Sequence, residues 1–200
     1  MKKIFVIISA ALLAMTSYAV NDAVISAIKN TNATYKNIVC DFDQAKNMKI
    51  VKEPVLSAGK LYYEGEKMSM IYSKPEGEYF KITANTLNMK TGKNNIKKNL
   101  KDGDPFMQLR NLLIYSMKGD VNGLAEMTNA DVDYTSTASQ DQFVFTSKNK
   151  VTKGYNKIVL YYNKTSHVLE YMELYQPTGT YTTYTLKNIK TGGVIPADAF

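Results

Sequence analysis

The chain has 200 residues, a formal net charge of +7 and a hydrophobic share of 44%. This length fits one domain with its own core, since domains commonly run to about 100–200 residues. A single cysteine, Cys40, excludes an intramolecular disulfide, and a single histidine, His167, makes a zinc site or a nucleophilic triad a poor expectation.

The first nineteen residues have the pattern of a secretory signal peptide. Lys2 and Lys3 form the positive region, residues 4–15 the apolar stretch, and Ser17-Tyr18-Ala19 a small-x-small cleavage site. The apolar stretch is too short to span a bilayer. Cleavage after Ala19 would leave residues 20–200 as one exported domain, with the net charge reduced from +7 to +5.

A short amphipathic helix is predicted next, because Val24, Ala27 and Ile28 share one helical stripe. From Asn37 onward the hydrophobic period changes from 3.6 to 2, which predicts strands joined by short turns and therefore an antiparallel sheet. Gly59 indicates a bulge. The predicted strand segments here are residues 38–44, 61–64, 68–72, 80–82 and 86–89.

The middle of the chain predicts helices. Pro105 suits a first helical position, and apolar residues recur at helical spacing up to Gly119. A weaker helical pattern covers residues 120–127. Alternation then resumes in residues 142–146, 155–162, 168–175 and 181–189. This order predicts an α+β domain in which helices cover one face of a sheet.

Several polar groups are candidates for sites of chemistry. Cys40 is interpreted as a small buried hydrophobe, Asp41 and Asp43 as solvent-facing, and His167 as a solvated side chain in a turn. The lysine-rich residues 90–101 are interpreted as a solvated face, with anionic headgroups or an acidic partner protein as alternatives. We therefore expect no enzymatic activity, no metal, no cofactor and no nucleic-acid partner.

The ordered series of motifs resembles the LolA-type periplasmic carriers of outer-membrane lipoproteins. The resemblance rests on residues 38–44 (Ile-Val-Cys-Asp-Phe-Asp-Gln), 57–63 (Ser-Ala-Gly-Lys-Leu-Tyr-Tyr) and 68–75 (Met-Ser-Met-Ile-Tyr-Ser-Lys-Pro). It continues through residues 78–80, the turn at residues 91–93, the helix after Pro105, and the final strands.

That resemblance implies an incomplete antiparallel β-barrel, a strongly curved sheet covered by a helical lid, in a protein of the periplasm. It also implies a chaperone that binds acyl chains of lipoproteins, or lipid, in a hydrophobic cavity; we expect it to be a monomer. An inner-membrane release transporter and an outer-membrane receptor are its implied partners. A sensing module of the same fold in envelope signalling is the alternative, and an exported hydrolase a third.

The residues expected to form the cavity are apolar or aromatic and lie on alternate strand positions or along the middle helix. The 10 methionines and 15 tyrosines favour a pocket that adapts to its guest. On the sheet the candidates are Phe42, Leu61, Tyr63, Met68, Met70, Tyr72, Phe80 and Ile82. On the lid helix they are Phe106, Leu109, Leu112, Leu113 and Met117.

One departure from the family pattern concerns the lid. The family places an arginine between the strands that match residues 61–63 and 68–70, and that arginine ties the lid to the sheet. This chain has Glu64-Gly65-Glu66 there instead. The resemblance therefore leaves open how the lid of this protein is held.

Overall fold

A computed structural model describes residues 22–102 and 104–200 of the chain. The predicted signal peptide, residues 1–19, lies outside the described residues. The described elements are α1 (residues 22–33), β1 (Ile38–Asn47), β2 (Val55–Glu64), β3 (Lys67–Lys74), β4 (Glu76–Ile82), β5 (Thr86–Thr91), β6 (Asn94–Asn99), α2 (Pro105–Lys118), α3 (Val121–Thr128), β7 (Ala130–Ser136), β8 (Gln140–Ser147), β9 (Lys157–Asn163), β10 (Leu169–Tyr175) and β11 (Tyr181–Thr191).

All of these strands belong to one antiparallel sheet. Its order is β6-β5-β4-β3-β2-β1-β11-β10-β9-β8-β7, so β1 and β11, the first and last strands in sequence, lie side by side at its centre. The sheet is strongly curved and unclosed, with β6 and β7 at its two edges. This is the predicted α+β fold, an incomplete antiparallel barrel with helices.

The buried face of the sheet follows from alternation along each strand. On β1, Ile38, Cys40 and Phe42 are buried in the core, whereas Asp41 and Asp43 lie on the other face. Asp41 accepts a hydrogen bond of 2.7 Å from Lys60, and Asp43 pairs with Lys187. The buried face packs with apolar residues of all three helices in one cluster, so the helices cover one face of the sheet.

Local residues set the limits of α2, and its start at Pro105 and end at Gly119 are those that the sequence predicts. The Asp104 carboxylate accepts the Phe106 N–H at 2.9 Å, and Pro105 occupies the first turn of α2. Gly119 ends α2 with φ of 66°, and a Cβ there would lie 2.5 Å from Ile28 of α1. Within the described residues, every helix is too short or too polar to cross a bilayer.

Two strands were absent from the sequence prediction. β6 has a single apolar residue, Ile96, so its lysines and asparagines give no alternation, which is common for an edge strand that must resist pairing with other chains. β7 does alternate, with Ala130, Val132 and Tyr134 on one side. Its seven residues follow directly on α3, and the short pattern was missed.

The bulge predicted at Gly59 is present. The pairing of β2 with β3 shifts register between Ala58 and Gly59. A Cβ at this position would lie 2.1 Å from the carbonyl oxygen of Ile71, so the two backbones can approach this closely only beside a glycine.

Candidate functional site

The residues predicted to line the sheet side of a cavity lie together in the structure. Seven of the eight are buried, and Tyr72 is partly buried. Phe42 and Tyr72 make an edge-to-face aromatic pair with ring centroids 5.2 Å apart. The Tyr72 hydroxyl donates to the Gln44 side chain at 3.1 Å, and burial raises the pKa of Tyr72 to about 12. These residues form one continuous apolar face on β1–β4.

Helix α2 presents its predicted residues to the same cluster. Leu112, Leu113 and Met117 are buried, and Phe106 and Leu109 pack against the core while partly exposed. Side chains of α2 and of the sheet thus contact one another in this form of the protein. A guest in this region would have to displace α2 or its side chains, and lipid binding by these thirteen residues stays a prediction.

An open groove of about 620 Å³ lies beside this core and was not predicted. Its walls come from α2, from the end of α3 and from residues 151–158. Leu112 and Ile158 belong both to the groove and to the core cluster, so the groove reaches the buried apolar region. The lining residues are Pro105, Gln108, Leu112, Met127, Thr128, Val151, Thr152, Lys153, Gly154, Tyr155 and Ile158.

A weak sequence signal for the groove did exist. Met127 continues the apolar stripe of α3, and alternation predicts a strand that begins at Tyr155. In the structure Tyr155 precedes β9 and lies in the β8–β9 loop, partly buried against the core. Only the path of this loop past α2 brings Tyr155 and Met127 into one groove, and hydrophobic period does not encode that path.

Helix α2 is tied to the rim of the sheet by Arg110, the chain's single arginine. Its guanidinium donates to the Glu66 carboxylate, to the Glu66 carbonyl at 3.3 Å and to the Thr83 carbonyl at 3.2 Å. Glu66 lies in the β2–β3 turn and Thr83 follows β4. The arginine is therefore on the helix and the acid is on the β2–β3 turn, where the resemblance in sequence implied an arginine.

Glu66 has a second cationic partner, Lys118, at the last position of α2. Burial alone would raise the pKa of the Glu66 carboxyl. Hydrogen bonds from Lys118 and Arg110, with the charges of both, outweigh that effect and lower the pKa below its ordinary value. The carboxylate is therefore ionised at neutral pH and holds two points of α2.

Two further polar contacts position α2. The Tyr162 hydroxyl of β9 donates to the Ser116 carbonyl at 2.8 Å in a buried environment. Near the start of the helix, Lys98 of β6 pairs with the capping residue Asp104 at 2.6 Å. Each contact joins the helix to a different strand or turn, so α2 is held through discrete polar links around an apolar underside.

The cysteine is inert in this structure, as a buried hydrophobe would be. Burial, with a smaller contribution from the charge of Asp41, raises the pKa of the Cys40 thiol to about 12. At pH 8 almost no thiolate is present, and the sulfur is inaccessible. We expect a thiol reagent such as Ellman's reagent to modify native protein far more slowly than urea-unfolded protein; equal rates would contradict the burial.

His167 departs from the prediction of a solvated side chain. It lies in the β9–β10 turn with a positive φ of 57°, and it is half-buried. Its Nδ1 atom is buried and, among the described residues, has no hydrogen-bond partner. Within the described residues, there is also no group of three or more histidine, cysteine or acidic side chains that could hold a metal ion.

Comparison with known proteins relates the second half of the chain to a family. The family model for "Outer membrane lipoprotein carrier protein LolA" matches residues 114–200. No curated protein matches the chain.

Solved structures show likeness at low sequence identity. A DUF1329 family protein from Desulfovibrio piger has a TM-score of 0.50 and 10% identity over 86% of this chain and 92% of that one. A putative outer membrane lipoprotein-sorting protein domain from Vibrio parahaemolyticus has a TM-score of 0.44 and 13% identity over 88% of this chain and 94% of that one. A LolA superfamily protein from Nitrosomonas europaea has a TM-score of 0.41 and 8% identity over 87% of this chain and 94% of that one.

The two lines of sequence similarity fall on different parts of the sheet. The family model begins in α2 and takes in α3 and β7–β11. The motifs that resemble the family in residues 38–75 lie on β1–β3, which continue the same sheet on the other side of its centre. The similarity to the LolA family therefore rests on residues 114–200 for the family model and on residues 38–75 for the motifs.

Proposed function

We propose that this protein binds the acyl chains of lipoproteins, or lipid, between its curved sheet and helix α2 and carries them through the periplasm towards the outer membrane. The observation that supports this most is the way α2 is attached. Its underside packs on the sheet through apolar side chains, while Arg110 and Glu66 fasten it at the rim. Such contacts can separate while the antiparallel ladders of the sheet stay paired.

The energetics suit a carrier. Each methylene removed from water contributes about 0.8 kcal/mol, so a sixteen-carbon chain gains roughly 10 kcal/mol before the costs of ordering and of moving α2. That gain offsets part of the cost of moving α2, and binding of this kind needs no covalent chemistry. Because dispersion and hydrophobic contacts are not directional, the same pocket can release its guest to a partner.

The groove beside α2 is the proposed entrance. Its volume of about 620 Å³ is in the usual range of ligand pockets, about 300–1,000 Å³. Leu112 connects the groove to the buried face of α2. An acyl chain that enters between Met127 and Tyr155 would therefore reach the predicted cavity residues by displacing α2 side chains, rather than by unfolding the sheet.

Binding of a fluorescent fatty acid to the mature protein tests this proposal. Met127→Trp places a large ring in the groove without adding charge, and we expect it to weaken probe binding tenfold or more, about 1.4 kcal/mol. The matched control is Ile189→Trp, which enlarges a half-buried side chain in a separate groove of about 560 Å³. Mass spectrometry of protein purified from its host should also find copurified acyl lipid.

Two results would contradict the proposal. One is probe affinity that is equal in wild type, Met127→Trp and Ile189→Trp. The other is the absence of acyl lipid from the purified protein together with no measurable probe binding. Transfer to an outer-membrane receptor, and loading by an inner-membrane transporter, are the partner steps that this role requires.

A further inference from the structure

The connections at one end of the sheet carry most of the net positive charge of the protein. Because the strands are antiparallel, the loops β1–β2, β3–β4, β5–β6, β8–β9 and β10–β11 all lie at the same end. We call this the hairpin end; its loops are residues 48–54, 75, 92–93, 148–156 and 176–180. They contain six lysines and one acid, Glu53.

The opposite end is different. The connections β2–β3, β4–β5, β7–β8 and β9–β10 comprise residues 65–66, 83–85, 137–139 and 164–168, and they contain one lysine and one glutamate. The glutamate is Glu66, which is paired with α2. The charge asymmetry is therefore a property of the fold, because the sequence distributes these lysines over loops more than 100 residues apart.

The lysines of the hairpin end are exposed and mostly free of acidic partners. Lys49 and Lys52 project from the β1–β2 loop, and Lys148, Lys150 and Lys153 from the β8–β9 loop. Among the described residues, Lys148 alone of these five makes an ion pair, at 3.4 Å with Asp131. The aliphatic part of Lys49 lies over Gly179 in the β10–β11 turn, where an added Cβ would be 3.5 Å from the Lys49 Cδ atom.

The same end exposes aliphatic side chains. Of the five large hydrophobic residues that are exposed in the described part of the chain, four lie in the β1–β2 hairpin: Ile50, Val51, Val55 and Leu56. A hydrogen bond of 3.0 Å from the Val51 N–H to the Met48 carbonyl closes a turn with Lys49 and Ile50 at its corners. Ile50 is 92% exposed, so a lysine and an isoleucine form the tip of the hairpin.

We infer that the hairpin end docks on an anionic phospholipid surface, with Ile50 and Val51 entering the interface and the surrounding lysines contacting lipid phosphates. Lysines alone would equally suit an acidic protein, but they give no reason for an isoleucine held out in water. A membrane interface can bind the lysines and the exposed isoleucine together, because its acyl chains accept the aliphatic tip and its headgroups attract the cations.

This inference goes beyond the proposed carrier role, since it needs no cargo. The two are also connected in space: Val151 and Lys153 of the β8–β9 loop form part of the acyl groove. Docking through this end would bring the groove close to the lipid surface. If vesicle binding is found without acyl-probe binding, the docking surface stands and the carrier proposal fails. If the acyl probe binds and vesicles do not, the carrier proposal stands and the docking surface fails.

The test uses the absence of tryptophan from this chain. Ile50→Trp introduces a unique fluorophore at the tip, and Val194→Trp, at a residue 90% exposed near the opposite end, is its matched control. With vesicles of phosphatidylglycerol and phosphatidylcholine, we expect a blue shift and quenching by brominated lipid for Ile50→Trp only. Vesicles of phosphatidylcholine alone should give a much smaller response.

Charge removal provides a second arm on the same vesicles. Each lysine removed beside an anionic surface should lower vesicle partition about fivefold. The triple variant Lys49→Gln/Lys52→Gln/Lys150→Gln should therefore lose most of its binding. The control Lys36→Gln/Lys101→Gln/Lys190→Gln makes the same change in net charge with exposed lysines outside the hairpin end, and it should bind nearly as wild type does.

Three outcomes would overturn the inference. The first is an Ile50→Trp spectrum that anionic vesicles leave unchanged. The second is equal loss of binding in the two triple variants, because binding would then depend on the net charge of the protein and not on where its lysines lie. The third is failure of wild-type protein to sediment with anionic vesicles, which would favour an acidic protein as the partner of these lysines. A circular dichroism spectrum like that of wild type verifies that each variant is folded.

Discussion

Glu66→Gln is expected to loosen α2 from the rim of the sheet. The substitution keeps the shape of the side chain but removes the charge that neutralises the buried Arg110 guanidinium. A hydrogen bond between charged groups contributes about 1.5–3 kcal/mol, and because the Glu66 side chain is 49% exposed we expect a loss of about 1–2 kcal/mol in unfolding free energy. Urea unfolding measures it.

Local opening should increase more visibly than global unfolding. We call the contact of Glu66 with Arg110 the latch. Amide hydrogens of α2 should exchange about tenfold faster in Glu66→Gln for each 1.4 kcal/mol lost from the latch, and the fatty-acid probe should bind faster. Glu64→Gln is the matched control, because Glu64 is in the same hairpin and, among the described residues, makes no ion pair. Equal exchange in both variants would show that the Arg110 contact does not hold the lid.

The latch should also depend on pH. The pKa of Glu66 is lower in the folded protein than in the unfolded chain, so its contribution is complete above the unfolded value of about 4.3 and is lost as the pH falls through the folded value. The stability difference between wild type and Glu66→Gln should therefore be constant near pH 7 and shrink below about pH 4.

Other carboxyls titrate in the same range and affect both proteins. Hydrogen bonds from Asn188 and Lys98 lower the pKa values of Asp41 and Asp104 respectively. Both proteins should accordingly lose stability in acid. Only the difference between them isolates Glu66, and a difference that persists unchanged at pH 3 would contradict the assigned role.

Met70→Asp is expected to destabilise the protein more than the loss of the Glu66 latch does. Met70 is buried on β3, opposite Leu61 of β2 and Phe80 of β4. The change removes a buried apolar side chain and introduces a carboxyl among apolar neighbours, so we expect a loss of about 4 kcal/mol or more. The same reasoning applies to Leu112→Asp, so neither variant separates binding from folding.

Met70→Leu is the control for this prediction, because it keeps volume and apolarity and should cost less than about 1.5 kcal/mol. The introduced carboxyl of Met70→Asp should have a raised pKa, since burial disfavours its charged form. Its destabilisation should then be greater at pH 7 than at pH 4, relative to wild type. Equal urea midpoints for Met70→Asp and Met70→Leu would mean that the β3 face is open to water.

Much of the local structure follows from short stretches of sequence. The limits of α2 come from local effects: Asp104 caps its start, Pro105 occupies its first turn, and Gly119 ends it with a left-handed backbone conformation. The alternation of Ile38, Cys40 and Phe42 with Asp41 and Asp43 likewise determines which face of β1 is buried. For the same reason the thirteen predicted cavity residues were found in one apolar cluster, although their binding of lipid stays a prediction.

Contacts between distant parts of the chain could not be read from these patterns. Arg110 and Glu66 are 44 positions apart, and no residue near either predicts their pairing; only the passage of α2 across the rim of the sheet joins them. The groove and the hairpin end have the same origin, since each assembles loops that sheet order brings together. Hydrophobic period depends on near neighbours along the chain, whereas these sites depend on where a curved sheet places its ends.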